Sequence, residues 1–310
     1  MRDRVTVFVS VGVAIACVGC QTGQHPEHQV FESPWPGNTP ELIAPGVINT
    51  DGIEINLVFS ADCKELFFAR SHDRIFSIYT SRFDPDGWSA PERLELFPAD
   101  PTAEAVDMTL SPDGQRLYFL GITGPSDNRA TDIWVSKRTE EGWAPAELVP
   151  APVSTEHRES YPVMTMDGSL WFLSNRQGDL GDRDLFRARP LAAGGFAEPI
   201  AIGPPVDGML RKGDTAISPD QSIIVISGNL PDSMESSDLF ISFRRRDGTY
   251  TEPKNIGPRF NSQRLDFCPM FSPDGRWFSF SRRYGDSWPT ATDAEIFWVN
   301  AKALEQFRPE

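Results

Sequence analysis

The sequence predicts an all-β fold, a five-bladed β-propeller made of four-stranded antiparallel blades. A turn of the type Ser-Pro-Asp-Gly recurs five times, and an apolar, aromatic-rich segment follows each copy. The turn aspartates are 51, 54, 53 and 54 residues apart. They are Asp62, Asp113, Asp167, Asp220 and Asp274. A repeat of this length that contains four short strands has the size of a propeller blade.

Four strands are predicted in each repeat, because two further signals follow the turn and the segment after it. The segments after the turns are Leu66–Phe68, Leu117–Phe119, Leu170–Phe172, Ile223–Val225 and Trp277–Phe280. The third strands are Ile75–Tyr79, Ile133–Val135, Leu185–Phe186, Leu239–Ile241 and Ile296–Val299. An aromatic residue and then a proline open the fourth strand. These signals place the blades at about 50–97, 98–151, 152–204, 205–258 and 259–300.

The last repeat reaches the end of the chain before its fourth strand. Pro40-Glu41-Leu42-Ile43 is similar to the start of the fourth strand in the first repeat, Pro91-Glu92-Arg93-Leu94. We therefore expect residues 39–44 to form the outer strand of the last blade, where they pair an otherwise open sheet edge. On this prediction the propeller covers residues 39–310.

The N-terminus predicts an exported protein. Arg2 and Arg4 precede the apolar run 5–16, which is shorter than the roughly 20 residues that span a bilayer. A signal peptide over residues 1–19 fits this pattern. Residues 20–38 are rich in Pro, Gly, Gln and His and are predicted to be a flexible tether.

Two processing sites remain open. Val18-Gly19-Cys20 ends like a bacterial lipobox and predicts a lipid on Cys20, although Cys17 stands where leucine is usual. Ala14-Ile15-Ala16 instead predicts cleavage before Cys17, which gives a soluble secreted or periplasmic protein or a lipid on Cys17.

The repeat resembles the WD40-like propeller repeats of the bacterial translocation protein TolB and many exported relatives. The order S-P-D-G, L-Y-F, D-I-W and W-x-x-P carries the resemblance over about residues 39–300. Cys63 and Gln221 replace the turn glycine, and Met166 replaces the proline. The resemblance implies a short closing helix around Ala303. Similarity to bacterial lipoproteins implies that Gln21 after Cys20 directs the protein to the outer membrane, facing the periplasm or the cell surface.

Charge and composition exclude several function classes. A net charge of −15 disfavours nucleic acid as a partner. Four His and four Cys are scattered, so neither a metal site nor a cofactor is expected. The protein is expected to be a monomer. Cys63 and Cys268 are predicted to lie at different depths along the inner strands, farther apart than a disulfide can reach, so we expect no bond between them.

One face of the propeller is the predicted functional face. It carries the loops 121–131, 175–183, 228–237 and 282–294, which share neither length nor composition. Binding residues tend to lie on loops that a rigid scaffold holds.

Charged residues lie where the inner strands meet that face, with one acid per blade. The candidate ligand-binding residues are Glu54, Asp107, Arg158, Glu159, Arg211, Asp214, Arg264 and Asp266. They predict either a polar funnel for a cationic or polyhydroxylated ligand, or structural pairs between the acids and arginines of neighbouring blades.

Two functions follow from these alternatives. The first is a non-catalytic cell-envelope lipoprotein, anchored to the membrane only by its N-terminal lipid, that binds a protein, peptide or glycan on the loop face and channel mouth. The second is a glycosidase-like, carbohydrate-active enzyme that uses the same acids. The sequence favours the first, because an acid in every blade is also what a structural repeat produces, and no catalytic residue is assigned.

Overall fold

The computed structural model describes residues 36–84, 87–124, 130–176, 183–208, 212–230, 233, 237–284 and 293–309. It confirms the predicted five-bladed propeller of four-stranded antiparallel blades. In blades 1 and 2 the outer strand consists of two short segments that both pair with the third strand. The predicted signal peptide 1–19 and Cys20 lie outside the described residues.

Each blade is an antiparallel sheet whose first strand is the innermost. Blade 1 contains β2 (Glu54–Phe59), β3 (Glu65–His72), β4 (Ile75–Asp84), β5 (Gly87–Trp88) and β6 (Glu92–Arg93). Blade 2 contains β7 (Glu104–Leu110), β8 (Arg116–Thr123), β9 (Ala130–Thr139), β10 (Gly142–Trp143) and β11 (Glu147–Leu148). Blade 3 contains β12 (Glu159–Met164), β13 (Leu170–Ser174), β14 (Asp184–Ala188) and β15 (Ile200–Ala201). Blade 4 contains β16 (Lys212–Ile217), β17 (Ile223–Gly228), β18 (Asp238–Phe243) and β19 (Lys254–Asn255). Blade 5 contains β20 (Leu265–Phe271), β21 (Trp277–Tyr284), β22 (Asp293–Asn300) and β1 (Glu41–Leu42).

The inner strands form a closed ring around the channel. Each of β2, β7, β12, β16 and β20 contacts the next, and β20 contacts β2. The described chain ends after a 3-10 helix, Ala301–Phe307, that Asn300 caps. No helix in the described part of the chain is long and apolar enough to cross a membrane.

The N-terminal segment closes the ring as predicted. Strand β1 pairs antiparallel with β22, with Leu42 opposite Phe297. Asn49 holds the same edge, because its side-chain amide donates to the carbonyl oxygens of Ile43 (2.6 Å) and Ile296 (3.0 Å). Its Oδ1 accepts from the Ile296 N–H at 2.7 Å.

Five apolar clusters stabilise the ring, one at each interface between neighbouring blades. Trp143 shows how the repeated aromatic residues are used: it packs edge-on against Phe67 of the neighbouring blade at 5.7 Å between ring centroids. This agrees with a packing role for the tryptophan that opens the fourth strand.

The recurrent turn is stabilised within itself. In blade 2, the Ser111 hydroxyl and the Gln115 N–H donate to Asp113 and hold the pKa of that carboxyl below its usual range. The glycine position requires a positive φ, which Cys63 (55°) and Gln221 (62°) also adopt. The two departures from glycine therefore leave the turn conformation intact. Cys63 and Cys268 are both buried free thiols.

Deleting residues 39–44 is expected to destabilise the protein far more than deleting the tether residues 21–34. The first deletion removes β1 and fully buried Ile43, a loss of roughly 3–5 kcal/mol, which corresponds to several degrees in thermal midpoint. Thermal unfolding followed by circular dichroism measures both variants. Equal midpoints would contradict the closure of the ring by this segment.

Candidate functional site

The structure separates the five predicted acids into two levels of the channel. Glu54, Glu159 and Asp266 stand eight residues before the turn aspartate of their blade, whereas Asp107 and Asp214 stand six residues before it. The first three lie at the loop-face mouth of the channel, near the start of their inner strands. The other two lie deeper, at irregularities in the pairing of theirs.

Glu54 makes a buried ion pair within its own blade. Its carboxylate lies 2.9 Å from Nε of Arg70, and its side chain is 0% exposed. The Thr50 hydroxyl donates to the same carboxylate at 2.6 Å. The guanidinium also lies over the rings of Phe68 and Tyr79, 5.1 and 5.3 Å from their centroids.

The same arrangement recurs in blades 3 and 5. Glu159 pairs with Arg176 at 3.1 Å and accepts from the Thr155 hydroxyl at 3.0 Å. Asp266 pairs with Arg282 at 2.7 Å. Burial raises the pKa of Asp266, and Arg282 opposes the rise. Both acid side chains are 0% exposed, and each carboxylate joins the loop before its inner strand to the second strand of the same blade.

Arg158 and Arg264, which the sequence singled out, are not the partners of these acids. Arg158 is exposed and its main-chain N–H donates to Asn175 Oδ1. Arg264 is exposed and stacks over Tyr284 at 4.9 Å. Arg211 lies outside the described residues. For Glu54, Glu159 and Asp266 the alternative of pairs with arginines of neighbouring blades is therefore wrong, because the partner comes from the second strand of the same blade. Ligand binding at the mouth stays a prediction.

Blade 4 carries the opposite charge at the mouth position. Lys212 is buried there and lies 3.6 Å from the carboxylate of Asp184 in blade 3. Its ammonium group also donates to the carbonyl oxygen of Asp207 at 3.2 Å. Blade 2 has Ala105 at this position. Only three blades therefore carry an acid here, and we name Glu54, Glu159 and Asp266 the mouth acids.

A second set of side chains forms what we name the channel ring, one residue per blade, each six residues before its turn aspartate. Its members are Asn56, Asp107, Tyr161, Asp214 and Cys268. The pairing register shifts at this place in every inner strand. Bulges of this kind redirect a side chain. All ring members except Asp214 have positive φ, between 48° and 55°.

The members of the channel ring contact one another. The Cys268 N–H donates to Asp214 Oδ2 at 2.5 Å, and the Cys268 Sγ lies 3.9 Å from Asp107 Oδ1. Asn56 hydrogen bonds to Asp107, and Tyr161 hydrogen bonds to Asp214. The two aspartates are each 7% exposed. The ring is therefore a buried polar layer across the channel.

The electrostatics of the channel ring are unfavourable for two negative charges. Burial raises the pKa of Asp107 well above its usual range, and repulsion from Asp214 raises it further. Burial also raises the pKa of Asp214. The Arg183 guanidinium, which lies 5.3 Å over the Tyr161 ring, opposes both shifts.

An apolar cavity lies at the opposite, turn-face end of the channel. Its volume is about 50 Å³, and it takes side chains from every blade, among them Phe59, Leu110, Met166, Ile217 and Phe271. Met166 is 56% exposed. The channel thus changes from ion-paired at the loop face to polar in the middle and apolar at the turn face.

Sequence reasoning missed the channel ring and the arginines that pair with the mouth acids, Arg70, Arg176 and Arg282. Two spacings signal the first: a hydroxyl residue stands four positions before each mouth acid, and an arginine follows 16 or 17 positions after it. Counting back six residues from each turn aspartate finds the second. More than half of the residues in the predicted functional loops lie outside the described residues. These loops are 121–131, 175–183, 228–237 and 282–294.

Comparison with known proteins shows the fold. No protein-family model matches the chain, and no curated protein matches its sequence. Putative TolB from Agrobacterium tumefaciens aligns with a TM-score of 0.50 and 15% identity, over 82% of this chain and 79% of that one. An α-L-arabinofuranosidase from Lactobacillus brevis aligns with a TM-score of 0.54 and 10% identity, over 84% and 92%. A glycoside hydrolase aligns with a TM-score of 0.54 and 12% identity, over 88% and 92%. The chain therefore has a propeller similar to that of TolB, and this fold also occurs in glycosidases.

The double variant Glu159→Gln and Asp266→Asn is expected to lose stability. Each substitution leaves a partly buried guanidinium without its carboxylate, a cost of about 1–3 kcal/mol per site. Chemical denaturation measures the loss, and Glu156→Gln, an exposed acid on the same loop, is the control. An unchanged free energy of unfolding would contradict the structural role of the mouth acids.

The variant Asp107→Asn is expected to gain stability, by about 1–3 kcal/mol at pH 7 in chelator-treated protein. A carboxyl whose pKa is raised on folding costs stability as the pH rises above its unfolded value, so the gain shrinks towards pH 4. Asp113→Asn is the control of opposite sign, because folding lowers the pKa of Asp113. Chemical denaturation at both pH values measures the free energy of unfolding. A lower free energy of unfolding in Asp107→Asn would refute the prediction.

Proposed function

We propose that this protein is a non-catalytic cell-envelope lipoprotein that binds a protein, peptide or glycan partner on its loop face and channel mouth. One observation carries the proposal: the mouth acids are fully buried and neutralised by arginines of their own blades. Side chains such as Arg158 and Arg264 are exposed on the same face. This arrangement suits a rigid scaffold that presents individual loops to a partner.

The geometry of the carboxylates favours binding over glycoside hydrolysis. A glycosidase places two carboxyl groups about 5–9.5 Å apart on either side of the sugar. Each mouth acid is occupied by an ion pair, and the donor atoms of Asp107 and Asp214 lie within 4.8 Å of each other and of Cys268. Both aspartates are buried, so a sugar ring has no place between them.

The envelope assignment rests on the N-terminal segment and on the repeat pattern. Arg2, Arg4 and the apolar run before Cys20 suit export and lipidation, and the WD40-like repeats suit a protein of the TolB type. Similarity of the fold to TolB supports the same assignment. A lipid on Cys20 would place the propeller at the outer membrane.

Charge reversal on the loop face is expected to weaken partner binding. In the variant Arg158→Glu and Arg264→Glu, two exposed side chains at the channel mouth change sign, which disturbs electrostatic complementarity. The control is Arg189→Glu and Arg246→Glu, which makes the same charge change at two exposed positions of the turn face. A protein or peptide partner is isolated by affinity capture from envelope extracts, and a glycan partner is identified on a glycan array. Its dissociation constant is then measured for the unaltered chain and for both variants.

At least tenfold weaker binding by the loop-face variant, with unchanged binding by the control, is the expected result. Loss of binding confined to the turn-face variant would indicate that the partner binds at the apolar cavity around Met166 instead. Hydrolysis of aryl glycosides that disappears in Asp107→Asn would instead identify an enzyme.

A further inference from the structure

Three potential metal ligands converge in the channel ring. One donor atom each from Asp107, Asp214 and Cys268 lies within 4.8 Å of the others, and all three residues are buried. The residues come from the inner strands of blades 2, 4 and 5, β7, β16 and β20. Among the described residues, no other group of three or more His, Cys, Asp and Glu side chains brings its donor atoms within this distance.

Asn56 of blade 1 supplies an independent observation. Its side chain is 98% buried, since only 2% of the residue is exposed, and its Oδ1 accepts no hydrogen bond from any described residue. Its side chain is engaged with Asp107 and Cys268, so the amide lies within the ring. Buried carbonyl oxygens almost always have a donor or a cation as partner. The unpartnered oxygen therefore points to a ligand at this place.

The charge balance favours a divalent cation. Two buried carboxylates and a thiolate carry three negative charges, and Arg183 supplies one positive charge nearby. A divalent ion completes the balance and turns mutual repulsion into coordination. Binding releases the thiol proton and any proton held by the carboxyl pair to solvent.

The donor types favour zinc. A thiolate with carboxylate oxygens is a zinc ligand set, whereas calcium takes six to eight oxygen ligands. Tetrahedral zinc with bonds of about 2.0–2.3 Å places its ligand atoms roughly 3.3–3.8 Å apart. The distance of 3.9 Å from Cys268 Sγ to Asp107 Oδ1 needs only a small contraction.

We propose that the channel ring binds one zinc ion through Cys268, Asp107 and Asp214, with Oδ1 of Asn56 as the fourth donor. The ion links the inner strands of four blades. Its role is structural, because the ring is buried in the middle of the channel and four protein donors complete a tetrahedral zinc.

The test uses the full chain purified in mild detergent, with Cys17 and Cys20 replaced by serine so that the N-terminal thiols bind no metal. The protein is treated with chelator and titrated with zinc chloride in a calorimeter, and with cobalt chloride in a spectrophotometer. The variants are Cys268→Ser and Asp107→Asn. Cys63→Ser is the matched control, because Cys63 is the other buried thiol in the described chain.

One zinc ion per chain is expected, with a charge-transfer absorption from thiolate to cobalt. Cys268→Ser removes this absorption and weakens zinc binding at least about tenfold, whereas Cys63→Ser changes neither. Asp107→Asn also weakens zinc binding, although its metal-free form has a raised thermal midpoint, which separates loss of the site from misfolding. Absence of stoichiometric zinc, equal binding by Cys268→Ser, or a preference for calcium would overturn the proposal.

Discussion

Each blade of this protein buries both faces against its neighbours, so a row of five blades exposes two apolar faces unless its ends meet. Strand β1 makes them meet by pairing with β22, and Asn49 bonds to the backbone of both neighbouring segments. The interface that closes the ring buries Ile43 and Trp298 with Leu57 of blade 1. Every other feature of the channel depends on this closure, because it brings the inner strands of blades 1 and 5 together.

Acids that look alike in sequence have opposite environments in the channel. Glu54, Glu159 and Asp266 repeat one arrangement, a carboxylate held by a hydroxyl and by an arginine that lies over two aromatic rings. Repetition of the whole arrangement indicates a structural role. The position two residues deeper has a different side chain in almost every blade, and Asp107 and Asp214 there contact other members of the channel ring and share the nearby Arg183 guanidinium. A position that varies while its neighbours repeat is where a specific ligand is expected.

The sequence was sufficient to predict the blades, the strand order and the closure, because these depend on local turn chemistry that recurs at a fixed period. It was not sufficient to pair the mouth acids. Arg158 adjoins Glu159 in sequence, but alternation along a strand turns neighbouring side chains to opposite sides, and Arg176 on the next strand reaches the carboxylate instead. The channel ring was also hidden, because its five residues are far apart in sequence, differ in type and meet only through bulges.

The two levels of the channel also explain why a stable ring can carry variable loops. At the mouth, ion pairs fix the segments that lead into the inner strands, since Thr50 and Thr155 bond to the acids through both main chain and side chain. In the channel ring, two buried carboxylates act against stability until a proton or a cation compensates them. A natural protein keeps such a cost where the same groups serve a site. The loop face is therefore supported by neutralised charges, whereas the two carboxylates that share only the Arg183 guanidinium lie at the axis, where blades 1, 2, 4 and 5 can share one ligand.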